Sequence, residues 1–150
     1  HLYGLNVALD MILKEGIEAV WRRHEVLASA IWAAIESWEK GGELKANIQD
    51  KKLRSAAVTS LHVQTPKGTH IRKWLQANTG LTIGIGLGMA TPNDPNGDGY
   101  FRLGHMGHVN AQMIMALIAT LETAMIAVGV PHGNNAINKA ASIIAKFSEP

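Results

Sequence analysis

The stretch that decides the fold runs from Gly99 to Gly107 and reads Gly-Tyr-Phe-Arg-Leu-Gly-His-Met-Gly. Aromatic and apolar residues alternate around one arginine, and glycines stand at both ends, which predicts a short β-strand. Arg102 lies between Phe101 and Leu103, where its planar guanidinium is suited to bind a carboxylate or phosphate through two parallel hydrogen bonds. From this pattern alone, an edge-strand arginine with its stem on apolar surface and its head in water is an open alternative.

The N-terminal part of the chain predicts two helices. Apolar residues recur at helical spacing over residues 2–13, and Gly16 interrupts the pattern. A longer apolar stripe over residues 17–38 predicts the second helix, which the glycines at 41–42 end. His24 lies on this stripe, and we expect it to be a hydrogen-bonded core histidine rather than a ligand. The tryptophans of this helix are expected to pack in the core or at an interface: Trp21, Trp32 and Trp38.

The rest of the chain predicts a sheet and further helices, with residues 43–54 irregular. Periodicity and turn residues indicate five elements besides the Arg102 strand: strands at about 55–64 and 81–85, a helix capped by Thr69 and ended by Gly80, a helix over about 109–128, and a last helix from Asn134 or Asn135 to Lys146. We therefore predict an α+β fold, in which a small antiparallel or mixed sheet of about three strands packs against helices.

The helix over about 109–128 is apolar enough to raise the question of a membrane span. Its apolar segment, residues 113–130, is nearly long enough to cross a bilayer. Glu122 lies in the middle of that segment, and no cluster of lysine or arginine flanks it, so a span is disfavoured. We expect instead a helix buried on two sides, between the sheet and a second body outside this chain.

Composition narrows the classes of function. The chain has 150 residues, enough for one domain with a real core, and its formal net charge is +2 with 14 basic and 12 acidic residues interspersed. This balance gives no field that favours nucleic acid, and the basic run over residues 45–54 predicts a solvated face. The absence of cysteine excludes disulfides and thiolate metal sites and fits a cytoplasmic location. Because the chain starts at His1 without a leader, we expect it to be cut from a longer chain.

Three motifs are considered and set aside. Residues 94–99 begin like a calcium loop, but Arg102 and His105 occupy the ninth and twelfth positions, so a turn is predicted. The pair of His105 and His108 lacks the helical frame of a zinc site, and no metal site is predicted. The glycines at 84–88 are not followed by a helix, so a dinucleotide site is not predicted. Neither a nucleophile elbow nor a carboxylate pair is visible.

Three separated blocks carry a family resemblance: residues 3–24, which include Glu-Gly-Ile-Glu-Ala-Val-Trp-Arg-Arg-His; residues 101–107, Phe-Arg-Leu-Gly-His-Met-Gly; and residues 127–131, Ala-Val-Gly-Val-Pro. In this order they resemble the small domain of the class V aminotransferases, pyridoxal phosphate (PLP) enzymes of fold type I. The alanine–glyoxylate and serine–glyoxylate aminotransferases are the most similar, and the second block is close to their Phe-Arg-Ile-Gly-His-X-Gly signature.

The resemblance implies a function for the longer protein. Such an enzyme moves an amino group from alanine or serine to glyoxylate or a similar 2-oxo acid, as a homodimer. PLP is held by a lysine of a large domain that this chain lacks, so no catalytic or cofactor-binding residue is expected here. Residues 1–150 would be the C-terminal small domain and residues 1–16 an interdomain helix. Arg102 occupies the position of the arginine that binds the substrate α-carboxylate.

The chain departs from the family pattern in two places. His108 replaces an acidic residue common in the serine–glyoxylate branch, and the connection over residues 89–99 is long. The amino donor and acceptor are therefore left open. Two other interpretations also remain, a non-enzymatic α+β module that binds a carboxylate through Arg102 and a dimerisation module.

Overall fold

The computed structural model describes residues 1–147 of the chain. Within these residues the fold is α+β, as predicted, with five α-helices and one four-stranded antiparallel sheet. The helices are α1 (Leu2–Glu15), α2 (Ile17–Glu39), α3 (Lys67–Thr79), α4 (Ala111–Val128) and α5 (Ala136–Ile144), with a 3-10 turn at Lys51–Leu53. The strands are β1 (Lys45–Ala46), β2 (Val58–His62), β3 (Gly84–Ile85) and β4 (Tyr100–Gly104).

The sheet is built around β4, in the order β1-β2-β4-β3. The pairing of β2 with β4 is continuous from Val58 opposite Gly104 to His62 opposite Tyr100. The prediction of about three strands missed β1, which lies in the segment expected to be irregular. A two-residue strand is too short to show an alternating pattern, so its place depends on its partner strand rather than on its own sequence.

Strand alternation divides the residues of β4 between two faces of the sheet. Phe101 and Leu103 point toward the helices and are fully buried in a core with residues of α2, α3, α4 and α5. Tyr100 and Arg102 point to the opposite face and are half-buried. The buried neighbours on each side therefore fix the backbone of Arg102, while its side chain leaves the core.

Of the five α-helices within residues 1–147, α4 alone has a side-chain cap at its N-terminus. Asn110 caps α4 by accepting a hydrogen bond from Met113 N at 2.9 Å, so the helix begins after Val109 rather than at it. The expectation that Thr69 caps α3 is wrong, because the helix already begins at Lys67. The Thr69 hydroxyl instead donates to Asp98, and this bond ties α3 to the turn that precedes β4.

Helix α1 has the predicted bounds but buries none of its residues. Its large apolar side chains are exposed, and Trp21 at the start of α2 is 64% exposed. Within residues 1–147, Trp21 therefore does not pack in the core, whereas Trp38 is fully buried and Trp32 packs against the core. The interdomain role of residues 1–16 stays a prediction.

Helix α4 is the one helix within residues 1–147 that is long and apolar enough to cross a membrane. The core helix of a soluble protein meets the same criterion, and α4 buries one face in the core through Ile114, Ile118 and Leu121. Glu122 accepts a hydrogen bond from Trp38 Nε1 at 2.8 Å, which ties α4 to α2. The opposite face, which includes Met113 and Ile126, is exposed in this chain.

Candidate functional site

Arg102 lies at the centre of β4, opposite Ser60 of β2 and Gly84 of β3. Its Nε donates a hydrogen bond to the carbonyl oxygen of Ile85 at 2.8 Å. Neither Nη nitrogen has a hydrogen-bond partner within residues 1–147. The guanidinium is thus held by one nitrogen while the other two remain available to a planar acceptor such as a carboxylate.

Gly84 makes room for this arrangement. A Cβ atom at position 84 would lie 3.3 Å from Arg102 Cβ and 3.5 Å from its Nε. The first distance is shorter than ordinary van der Waals contact, so a side chain there would displace the arginine stem. Gly84, within the predicted strand at 81–85, thus serves the packing of Arg102.

The face of the sheet that carries Arg102 is polar and aromatic. The Ser60 hydroxyl lies 3.3 Å from the sulfur of Met89 and donates to it. The His62 and Tyr100 rings are adjacent, with centroids 5.6 Å apart and planes inclined by 44°. Burial lowers the pKa of His62, so this face presents a neutral imidazole near neutral pH.

On the opposite face, His105 anchors the end of β4. Its side chain is fully buried, with Nδ1 3.0 Å from the carbonyl oxygen of Ala56 and Nε2 2.9 Å from Thr59 Oγ1. Trp32 Nε1 donates to the same hydroxyl at 3.1 Å. Since the Ala56 oxygen can only accept, Nδ1 carries the proton and Thr59 donates to Nε2. Burial lowers the pKa of His105, consistent with this neutral tautomer. Both ring nitrogens are therefore engaged by protein groups.

The loop after β4 is held from α2 by two adjacent residues. His24 has Nε2 3.0 Å from the Gly107 oxygen and Nδ1 3.0 Å from the Val20 oxygen, so the prediction of a hydrogen-bonded histidine is confirmed. Arg23 Nη1 donates to the oxygens of Gly107 and Val109. Sequence analysis did not single out Arg23, although it stands in the Trp-Arg-Arg-His block that carries part of the family resemblance.

Residues 94–99 form the predicted turn. The Asp94 carboxylate accepts hydrogen bonds from Thr65 Oγ1 at 3.0 Å and from the backbone nitrogens of Asp98 and Gly99 at 2.9 and 2.8 Å. These bonds, led by that from Gly99, lower the pKa of Asp94. Its oxygens therefore stabilise the turn that leads into β4. The structure, over residues 1–147, has no cluster of three or more metal-ligating side chains.

Comparison with known proteins agrees with the fold and with the family resemblance. No protein-family model matches the chain. The chain is 35% identical over 133 residues to a serine–glyoxylate aminotransferase of Arabidopsis thaliana, covering 87% of this chain and 30% of the relative. It is 32% identical over 131 residues to an L-aspartate–glyoxylate aminotransferase of Paracoccus denitrificans, covering 85% of this chain and 30% of the relative.

Structure comparison gives the same result. The crystal structure of pyridoxamine–pyruvate aminotransferase from Mesorhizobium loti matches with a TM-score of 0.79 and 27% identity, over 95% of this chain and 34% of that chain. The chain thus spans about 30% of the length of the curated relatives it matches. These findings confirm the resemblance seen in the three sequence blocks. The chain therefore matches a domain of the class V aminotransferases and has the fold of their small domain.

Proposed function

We propose that this chain is part of an aminotransferase that moves an amino group from alanine or serine to glyoxylate or a similar 2-oxo acid. The observation that carries the proposal is the half-buried Arg102 guanidinium, whose two Nη nitrogens have no hydrogen-bond partner among residues 1–147. The names of the relatives support it, since two of them act on glyoxylate. Every amino acid donor and 2-oxo acid acceptor carries the carboxylate that such a group recognises.

In this proposal Arg102 binds and orients the substrate α-carboxylate. The bond from Nε to Ile85 and the space left by Gly84 fix the plane of the guanidinium before a ligand arrives. A carboxylate then meets two parallel donors, which define its orientation as well as its position. The arginine therefore acts as a binding and orienting group, and it does not itself move a proton.

The proposed enzyme requires PLP, which stabilises negative charge at the substrate α-carbon. The residues of this chain fit the substrate carboxylate rather than the cofactor. Lys45, on the edge strand, donates to the Glu39 oxygen, and Lys67 pairs with Glu43 at 2.6 Å. Both amines are thus engaged by protein oxygens. The assignment of the cofactor-binding and catalytic residues to a domain outside this chain rests on the family resemblance.

The arrangement of the whole protein is also a proposal. Residues 1–150 form the C-terminal small domain, and residues 1–16 form a helix between domains. The exposed apolar side chains of α1 and of the outer face of α4 support a second body against which they pack. We propose a homodimer in the cytoplasm, without nucleic acid or membrane partners.

Substitution of Arg102 in the full-length enzyme tests its role. Arg102→Ala should lower kcat/KM by about 2–4 kcal/mol, or roughly 30- to 1,000-fold, because a charged hydrogen-bonded pair is lost. Arg102→Lys keeps the charge but lacks the two parallel donors of the guanidinium, so its kcat/KM should be intermediate. The measurement is single-turnover amino transfer from alanine and serine, with a donor that lacks the carboxylate as control. If Arg102→Ala reacts as fast as wild type, Arg102 is only structural.

The chain by itself should have no transaminase activity, since it lacks a placed lysine. The test adds PLP, alanine and glyoxylate to the purified chain, with borohydride reduction to trap any covalent cofactor adduct. A stoichiometric adduct at one lysine together with turnover would contradict the proposed division of roles. Carboxylate binding without any activity in the full-length protein would instead favour a non-enzymatic binding module.

A further inference from the structure

One guanidinium, that of Arg23, joins three elements of the fold. Its Nε and Nη2 donate to the two carboxylate oxygens of Glu15, the last residue of α1, at 2.6 and 2.8 Å. Its Nη1 donates to the carbonyl oxygens of Gly107 and Val109, at 3.2 and 2.8 Å, in the loop between β4 and α4. Arg23 itself belongs to α2, so its side chain connects the end of α1 to the loop that follows the Arg102 strand.

Few contacts besides that of Arg23 with Glu15 fix the direction of helix α1. None of its residues is buried, and it is joined to α2 by the single residue Gly16. Gly16 has a φ of 88°, a conformation that a glycine adopts without strain and that offers no side chain to stiffen the joint. The bidentate pair with Glu15 is therefore the main polar constraint on the direction of α1. The side chains of Arg23 and Glu15 are 15% and 28% exposed, so the pair lies at the surface, where its bidentate geometry matters more than its charge alone.

The loop at the other end of the contact is also held mainly from α2. Gly107 has a φ of 82°, and its carbonyl oxygen faces both Arg23 and His24. His105 anchors the beginning of the loop in the core and Asn110 caps α4 at its end. A change in the position of Arg23 would therefore act on a short segment that is fixed at both ends and begins directly after β4.

We propose that Arg23 is a positioning residue that couples the direction of α1 to the loop 105–110 and, through it, to the Arg102 strand. When Glu15 is in place, Nε and Nη2 are fixed and Nη1 is directed at the two loop carbonyls. When α1 turns about Gly16, the guanidinium loses its carboxylate partner and the loop loses its orientation. The functional consequence rests on the proposed function: α1 leads to the remainder of an aminotransferase, and substrate binding at Arg102 is linked to movement of that remainder.

The surroundings of the contact favour the pairing of Glu15 with Arg23 over pairing with neighbouring basic residues. A cavity of about 640 Å³ lies beside it, and Lys14, Arg22 and His108 are among its lining residues. Of the described residues that line the cavity, Glu15 is the one acid, and its hydrogen-bonded partner is Arg23 rather than Lys14 or Arg22. The hydrogen bond from Arg23 is the largest cause of the lowered pKa of Glu15, which keeps the carboxylate ionised at neutral pH.

The direction of α1 can be measured in the 150-residue chain, which contains no cysteine and so accepts labels at chosen sites. Spin labels on Leu5→Cys in α1 and Lys139→Cys in α5, both exposed positions, report the distance between α1 and the body of the domain. Glu15→Gln and Arg23→Gln should each widen the distance distribution at least roughly twofold. The matched control is Arg22→Gln, which removes a neighbouring arginine that makes no hydrogen bond within residues 1–147. An unchanged distribution in Arg23→Gln would overturn the proposal.

Coupling itself is tested by a double-mutant comparison of backbone amide resonances. Glu15→Gln alone should shift the amides of residues 105–110, although Glu15 makes no hydrogen bond to them within the described part of the chain. In an Arg23→Gln background the same Glu15→Gln change should leave them unmoved, and Arg23→Lys should transmit only part of the effect. Equal shifts with and without Arg23 would refute the coupling. Glu15→Gln changes an exposed position, so it keeps the test open if Arg23→Gln unfolds the chain.

The link to activity needs a separate measurement in the full-length enzyme. Arg23→Gln should raise KM for the amino donor about fivefold or more, and Arg22→Gln should not. An unchanged KM would remove the functional part of the proposal, even if coupling within the chain holds. Absence of amino transfer from alanine and serine in the wild-type full-length protein would contradict the proposed function itself, so the two failures can be told apart.

Discussion

Replacement of Thr59 by valine is the sharpest test of how the Arg102 strand is held. The Thr59 hydroxyl accepts a hydrogen bond from Trp32 Nε1 at 3.1 Å and donates one to His105 Nε2 at 2.9 Å. Thr59→Val keeps the shape of the side chain and removes only the hydroxyl. The variant therefore leaves two polar groups without a partner and creates almost no cavity.

The expected loss of unfolding free energy in Thr59→Val follows from the burial of the His105 and Trp32 side chains. His105 is fully buried, so its unpaired Nε2 should cost about 1–3 kcal/mol of unfolding free energy. Trp32 is half-buried, so water can reach its indole N–H in part, and its share lies near the lower end of that range. Together we expect a loss of about 2–4 kcal/mol, a large fraction of the stability of a typical domain.

Urea unfolding followed by tryptophan fluorescence measures this loss, since the chain has four tryptophans. The midpoint should fall by about 1–2 M with an unchanged slope. Thr59→Ser is the matched control, because it keeps the hydroxyl and should cost less than about half as much as Thr59→Val. A loss below about 0.5 kcal/mol in Thr59→Val, or equal losses in both variants, would refute the argument that this network holds β4.

Three further predictions concern charge, metal and capping. Burial lowers the pKa of both His62 and His105, so the native state binds fewer protons than the unfolded state. The free energy of unfolding should therefore be highest above the histidine pKa of the unfolded state, near pH 6.5, and should decrease as the pH falls below it. The accompanying decrease in the urea midpoint should be smaller in His105→Gln. Calorimetry should show no micromolar one-to-one calcium binding by the turn at 94–99, because its carboxylate oxygens accept hydrogen bonds from the protein. Calcium binding that is abolished by Asp98→Ala would contradict this interpretation. Asn110→Ala should lower the unfolding free energy by about 1 kcal/mol, and an unchanged urea midpoint would show that the cap of α4 is dispensable.

The elements that could be predicted are those whose pattern is contained in their own sequence. Helices α1 and α2 and strand β4 show regular periodicity over many residues, and glycines mark their ends. Strand β1 could not be predicted, because two residues acquire their conformation by pairing with β2. Thr69 fits the residue type of a helix cap, but the helix begins earlier and its hydroxyl binds Asp98 instead. The hydrogen-bond partner of Thr69 lies 29 residues away in sequence, and helix propensity carries no information about so distant a residue.

The residues of the candidate site also differ in whether a local sequence pattern indicates them. Arg102 could be found because it interrupts an apolar strand and because its block resembles a known signature. Arg23 and Thr59 could not be found from local patterns, since their partners lie far away in sequence: Val109 is 86 residues from Arg23, and His105 is 46 residues from Thr59. The sequence predicts packing of Trp21 in the core or at an interface; its exposure in this chain excludes the core, and an interface stays a prediction.

If Arg102 binds a carboxylate as proposed, the contacts on the two faces of β4 would make its mobile side chain a precise binding group. On the helical face, Phe101 and Leu103 are buried, and the bonds of His105 fix the strand end. On the other face, the bond to Ile85 restrains the Arg102 stem. A free arginine loses up to about 2 kcal/mol of side-chain entropy when it is fixed by a ligand. Here part of that ordering is complete before binding, so more of the energy of the charged hydrogen bonds contributes to affinity and orientation. This preorganisation depends on contacts from β2, β3 and α2 together, so we expect Arg102 to bind a carboxylate only within the whole domain.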